Sequence, residues 1–134
     1  MSQSGPAGNW FGAGFGTHVM PGAYAIVVDG AGKVTEHLLG HHTAGTVLGA
    51  SVKVLNSTVL DGKRTLVLRR ALGGLSAQHH TFDPKKLSLD FITALGSGPT
   101  FGYHKSRTVG IGLYPIVTLQ YNSTTLYQVS YHIW

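Results

Sequence analysis

Two Asp-Gly pairs, Asp29-Gly30 and Asp61-Gly62, constrain this chain more than any other feature, because each lies between short aliphatic runs. Such a pair tolerates the left-handed backbone of a tight reversal, and between β-branched runs it marks a hairpin. The first joins Ala25-Ile26-Val27-Val28 to a segment from Lys33 to Leu39 that Gly40 closes. The second joins the run from Val52 through Val54 to Leu60 with Thr65-Leu66-Val67-Leu68. Two later runs, Ile111 to Leu119 and Leu126 to Ile133, flank a turn signal at Asn122-Ser123. The chain has 19 glycines in 134 residues and only 11% charged residues. Glycine is thus about twice as frequent as usual, which suits turns and close strand packing better than solvent-facing helices. Short strands punctuated in this way point to a β-sandwich or a barrel.

One stretch supports two readings. Asp83-Pro84-Lys85-Lys86 has the form of a helix start, with Leu87, Phe91 and Leu95 at helical spacing and Gly96 as a stop. Leu87, Leu89, Phe91, Thr93 and Leu95 also alternate, as a half-buried strand would. The surrounding strand signals favour the strand.

The length suits one domain, read as 9–134, preceded by a flexible segment over the small and polar residues 1–8. Those residues carry no signal-peptide pattern. The chain has no cysteine, which excludes disulfides, thiolate metal sites and a cysteine nucleophile. No apolar run reaches the roughly 20 residues needed to span a bilayer. The net charge of +5 comes from scattered basic residues without interleaved aromatics, so no nucleic-acid partner is expected. Sequons at Asn56 and Asn122 are compatible with a secreted or extracytoplasmic protein.

The residues that could carry chemistry are chiefly histidines: His18, His37, His41, His42, His79, His80, His104 and His132. They show no His-x-His or HExxH spacing, and adjacent side chains on a strand point to opposite faces, which argues against His41-His42 or His79-His80 gripping one ion. The carboxylates are Asp29, Glu36, Asp61, Asp83 and Asp90, and no GxSxG elbow marks a nucleophile. Gly12-Ala13-Gly14-Phe15-Gly16 lacks phosphate-loop spacing and reads as strand glycines that admit a close neighbour, either backbone or a flat ligand. Met20 sits in a Gly/Pro-rich turn, where plain core filling is a less automatic role for a thioether.

In order, these features resemble a DOMON domain. Trp10-Phe11-Gly12-Ala13-Gly14-Phe15-Gly16, Met20 and Ala23-Tyr24-Ala25-Ile26-Val27-Val28 are similar to that family's opening strand, methionine turn and second strand. Asp61-Gly62-Lys63-Arg64 with Leu66, Leu68 and Arg69 resembles its Asp-x-x-Arg strand. Ile92-Thr93-Ala94-Leu95-Gly96 followed by Phe101-Gly102-Tyr103-His104 resembles its apolar-Ala-x-Gly strand and Tyr-His. The similarity covers residues 9–114 or so. The chain departs from the pattern at Tyr24, where the family carries an acid, and at Pro21 directly after the methionine.

The resemblance implies an all-β, antiparallel, Ig-like sandwich of about ten strands. It also implies haem b (iron protoporphyrin IX) held between Met20 and His104. Trp10, Phe15, Phe101 and Tyr103 would wall the site, and Lys105 and Arg107 would pair with the propionates. Such a module transfers single electrons to a redox partner protein or domain, or to a small-molecule reductant, and is not itself an enzyme. His18 is the expected competitor for the iron if the Met20 turn is displaced. The alternative is a haem-free module that binds a carbohydrate or other small ligand, with Trp10, Tyr103 and Tyr114 stacking on sugar faces. A histidine-based metal protein is the third reading.

Overall fold

A computed structural model describes residues 2–83 and 89–111. Nine strands lie within them: β1 (Ser2–Pro6), β2 (Phe11–Phe15), β3 (Tyr24–Val28), β4 (Val34–Leu38), β5 (Thr46–Val47), β6 (Lys53–Leu60), β7 (Lys63–Arg69), β8 (Asp90–Gly96) and β9 (His104–Ile111). No helix occurs among the described residues. All pairings are antiparallel. They form a three-stranded sheet, β1-β7-β6, and a six-stranded sheet, β5-β4-β3-β2-β8-β9, packed as a sandwich. The runs beyond Ile111, with the Asn122-Ser123 turn, lie outside the described residues, as do residues 84–88.

Both Asp-Gly hairpins form, by different means. Asp61 and Gly62 have φ of 51° and 74° and join β6 to β7 with Leu60 opposite Lys63, a two-residue turn whose twist matches the strands. Replacing Gly62 by alanine forces a Cβ into that conformation and is expected to cost about 1–2 kcal/mol, read from the urea midpoint. The β3–β4 connection is longer. Asp29 Oδ1 accepts hydrogen bonds from the Ala31 and Lys33 amides, both at 2.9 Å, and the left-handed residue is Gly32 rather than Gly30. Gly30 is needed for a close approach instead, since a Cβ there would meet Gly8 O at 2.5 Å and Pro99 at 2.6 Å.

Residues 90–96 are strand, in agreement with the alternation reading. The N-terminal expectation is corrected: residues 2–6 are not a flexible lead-in but strand β1, paired with β7 from Ser2↔Val67 to Pro6↔Lys63. Gln3 and Ser4 are buried there, with Ser4 Oγ 3.1 Å from Thr65 Oγ1. The strand is small and polar because it passes over the core. The Phe11 ring lies against Gly5 so closely that no Cβ would fit.

Strand parity divides the six-stranded sheet into two faces. Phe11, Phe15, Tyr24, Ile26, Val28 and Leu95 face inward and join Leu66, Leu68 and Phe82 in the core between the sheets. Full burial of Phe11 or Ile26 stabilises by roughly 1.5–3 kcal/mol each. Glu36 also faces inward and is buried among hydrogen-bond donors. Its carboxylate accepts from the Ser51 amide and hydroxyl, each at 2.5 Å, from the Val52 amide at 3.1 Å, and from Tyr24 Oη at 2.5 Å. His79 Nε2 lies 3.8 Å from Glu36 Oε1 and donates to Gly49 O at 2.8 Å, while Ser76 Oγ meets His79 Nδ1 at 2.7 Å. The Arg70 guanidinium stacks over the Tyr24 and Phe82 rings and donates to His80 O. This network ties the irregular segments around residues 49–52 and 70–82 to β3 and β4.

Candidate functional site

The outer face of the six-stranded sheet is apolar as well. Trp10, Ala23, Ala25, Val27 and Leu39 form a second buried cluster there, with Met20, Ile92, Ala94 and Phe101 packed against it. A surface strand facing water would carry polar residues at these positions. Instead β2 presents Gly12 and Gly14, β3 presents Ala25 and Val27, and β8 presents Ile92 and Ala94. The small residues leave a shallow floor under a cavity of about 270 Å³. That is close to the lower end of the usual range for small-molecule pockets, roughly 300–1,000 Å³.

The floor tolerates no larger residue at its glycines. A Cβ on Gly14 would meet Ile92 Cγ1 at 2.8 Å, and one on Gly12 would meet Ile26 O at 3.0 Å. Gly96 is tighter, because the Trp10 indole occupies the space a Cβ would need. The same indole is packed edge-on by Phe101 at 4.8 Å between centroids. Gly96→Ala is therefore expected to displace Trp10 from the cavity wall and cost about 1–3 kcal/mol, measured by urea denaturation.

Five of the residues singled out from the sequence meet at this cavity: Trp10, Met20, Phe101, His104 and Arg107. Met20 is carried by the β2–β3 turn, where the Ala23 amide donates to Met20 O at 3.1 Å. His104 opens β9 opposite Gly96, beside a pairing irregularity between Leu95 and Gly96. The other three lie elsewhere. Phe15 points into the core, with its ring 5.3 Å from Phe82 and 6.3 Å from Tyr24. Tyr103 is 85% exposed and stacks on the His104 ring at 4.9 Å. Lys105 is exposed on β9 and is not part of the lining.

Three further histidines line the cavity: His18, His41 and His42. His18 Nε2 is 3.2 Å from Asp90 Oδ1. His41 and His42 were expected to diverge, but they lie in a bend rather than a strand, and their rings meet edge-to-face at 4.4 Å. His42 has a φ of 55°, in the left-handed region. Behind the cavity, the His37 ring packs on Phe101 at 4.8 Å and its Nε2 lies 2.9 Å from Thr35 Oγ1. Burial pushes the His37 imidazole below its ordinary value and the Ala44 backbone only partly opposes this, so at neutral pH the ring is uncharged. Among the described residues, no three His, Cys, Asp or Glu side chains are placed to hold one metal ion.

The donors in the cavity lining are therefore a thioether and imidazoles, over a largely apolar floor, with one guanidinium. No family model, no curated protein and no solved structure matches this chain.

Proposed function

We propose that this chain is a DOMON-like module that binds haem b and transfers single electrons, with Met20 and His104 as axial ligands. The observation that carries the reading is that both side chains line one apolar cavity over a floor of glycine and alanine. The donor set fits. A thioether and a neutral imidazole are the pair that fills both axial positions of a cytochrome iron. Gly12, Gly14, Ala25 and Ala94 leave space between the two donors that the edge of a macrocycle would enter. When bound, haem supplies reversible one-electron chemistry, and the thioether raises its potential by favouring ferrous iron.

Each residue has a definable task. Met20 and His104 approach from opposite ends of the strands, as the pairing registers require: Met20 follows Phe15, whereas His104 pairs at the Gly96 end, beside Phe11. Trp10 and Phe101 exclude water from that end of the cavity. Arg107 is the cation that would meet a propionate, by charge-assisted hydrogen bonds. Lys105, which is outside the lining, is not assigned that task.

The carbohydrate reading has weaker support. Trp10 is 3% exposed and packed by Phe101, which leaves little ring face for a sugar. Tyr114 lies outside the described residues.

The deciding experiment is the visible spectrum of the purified protein before and after haemin, oxidised and dithionite-reduced. A sharp Soret band with resolved α and β bands on reduction is expected. A protein that stays colourless with haemin removes the proposal. The electron donor or acceptor, whether a protein, a fused domain or a diffusible reductant, is then open to direct assay.

A further inference from the structure

The four imidazoles that line the cavity among the described residues do not enter from the same end, and this has a consequence that rests on the haem reading. His104 stands at the end of the sheet where Phe11 pairs with Leu95. His41 and His42 follow Leu38, which pairs with Tyr24, which in turn pairs with Phe15. They therefore share the end from which Met20 approaches. Backbone hydrogen bonds stitch the two segments together: the Gly22 amide donates to Leu39 O and the Leu39 amide to Ala23 O, both at 2.8 Å. His18 lies on the same turn as Met20, but the Asp90 carboxylate engages its Nε2. Among the described residues, no side-chain hydrogen bond or ion pair engages His41 or His42, both of which are exposed. His42 holds a left-handed backbone that non-glycine residues adopt sparingly, a form of strain that clusters at ligand clamps.

We propose that the His41–His42 pair is a reserve axial ligand. When the Met20 thioether is displaced, one of these imidazoles takes its position, and the site passes from thioether–imidazole to bis-imidazole coordination. This assigns the competitor role expected of His18 to the next loop. It also gives the module two redox settings, because replacing a thioether by an imidazole removes the ligand that favours ferrous iron.

The test uses the full chain reconstituted with haemin, as wild type, Met20→Ala, and the triple variant Met20→Ala/His41→Ala/His42→Ala, followed by near-infrared absorption and electron paramagnetic resonance. The wild type is expected to show the thioether-to-iron charge-transfer band. Met20→Ala is expected to lose that band yet remain six-coordinate and low-spin with a bis-imidazole signature. The triple variant is expected to turn high-spin and to regain a low-spin spectrum on adding free imidazole, which also reports an intact pocket. A high-spin Met20→Ala protein that free imidazole converts to low-spin overturns the reserve role and leaves the haem reading standing. A wild type that takes up no haemin overturns both.

Discussion

His104→Ala is expected to lower haemin affinity by at least about 100-fold, because even outer-shell partners of a metal ligand are worth 10–100-fold. The loss should be larger than that from Met20→Ala, and the sheet topology gives the reason. His18, His41 and His42 all enter the cavity from the Met20 end, so among the described residues no other imidazole stands at the end where β9 begins. The fold should survive, since His104 is only half-buried and its pairing with Gly96 is made by the backbone. Haemin titration followed at the Soret band measures the effect, with thermal melts of the apo-proteins as the control. Equal affinities for His104→Ala and wild type would remove this imidazole from the site.

Glu36→Gln is expected to be the most destabilising of the conservative changes, costing about 2–3 kcal/mol at neutral pH. The carboxylate is surrounded by donors alone: two backbone amides and two hydroxyls. A glutamine that keeps its oxygen on the two amides must donate its NH2 to the Ser51 and Tyr24 hydroxyls, which then accept instead of donating, and the charge-assisted strength of all four bonds is lost. The pH dependence has a definite sign. Burial works to raise the Glu36 carboxyl, but hydrogen bonds from Ser51, Tyr24 and the Ser51 and Val52 amides outweigh it and hold the group below its ordinary value. The unfolded chain therefore binds the proton more readily. The contribution is complete above the ordinary carboxylate range and is lost as pH falls through the folded-state value. Tyr24 acts at the other extreme. Burial, and next the hydrogen bond to Glu36, push its hydroxyl well above the ordinary value, so its contribution holds up to about pH 10 and is lost at higher pH. Urea melts from acid to alkaline pH should show both limbs in the wild type, and the difference from Glu36→Gln should shrink toward acid.

The hairpins were legible because aspartate and glycine announce a reversal whatever surrounds them, and both turns form where the pairs stand. Strand β1 was not legible. Its residues Ser2, Gln3, Ser4 and Gly5 carry no apolar alternation, and the space they fill is set by the Phe11 ring, a contact between separate strands. Met20 stood out by its Gly/Pro-rich turn, but its pairing with His104 could be picked out only through resemblance, since neither lies in a motif with its own chemistry. What no pattern revealed is that they share a cavity with His41 and His42, because the rule that neighbouring side chains diverge applies to strands and this pair sits in a bend. The buried role of Glu36 did leave a trace. It shares strand parity with Val34 and Leu38, both packed on the inner core, so the one acid in that run was already on the inward face. Its partners Ser51 and Val52 follow more than a dozen residues later and carry no signal of their own.

The backbone of β2, β3 and β8 is common to two packed surfaces. Phe11, Ile26 and Leu95 seal one side, while Gly12, Ala25 and Ala94 floor the other. A molecule seated on the floor therefore bears directly on the strands that hold the interior together. Local opening of these strands would disrupt both faces at once, so occupancy should suppress it by mass action. Amide protons of Ala13, Ile26 and Thr93, which belong to the strands beneath the cavity, should then exchange more slowly with solvent deuterium when the cavity is filled, whereas those of β6 and β7 should change least.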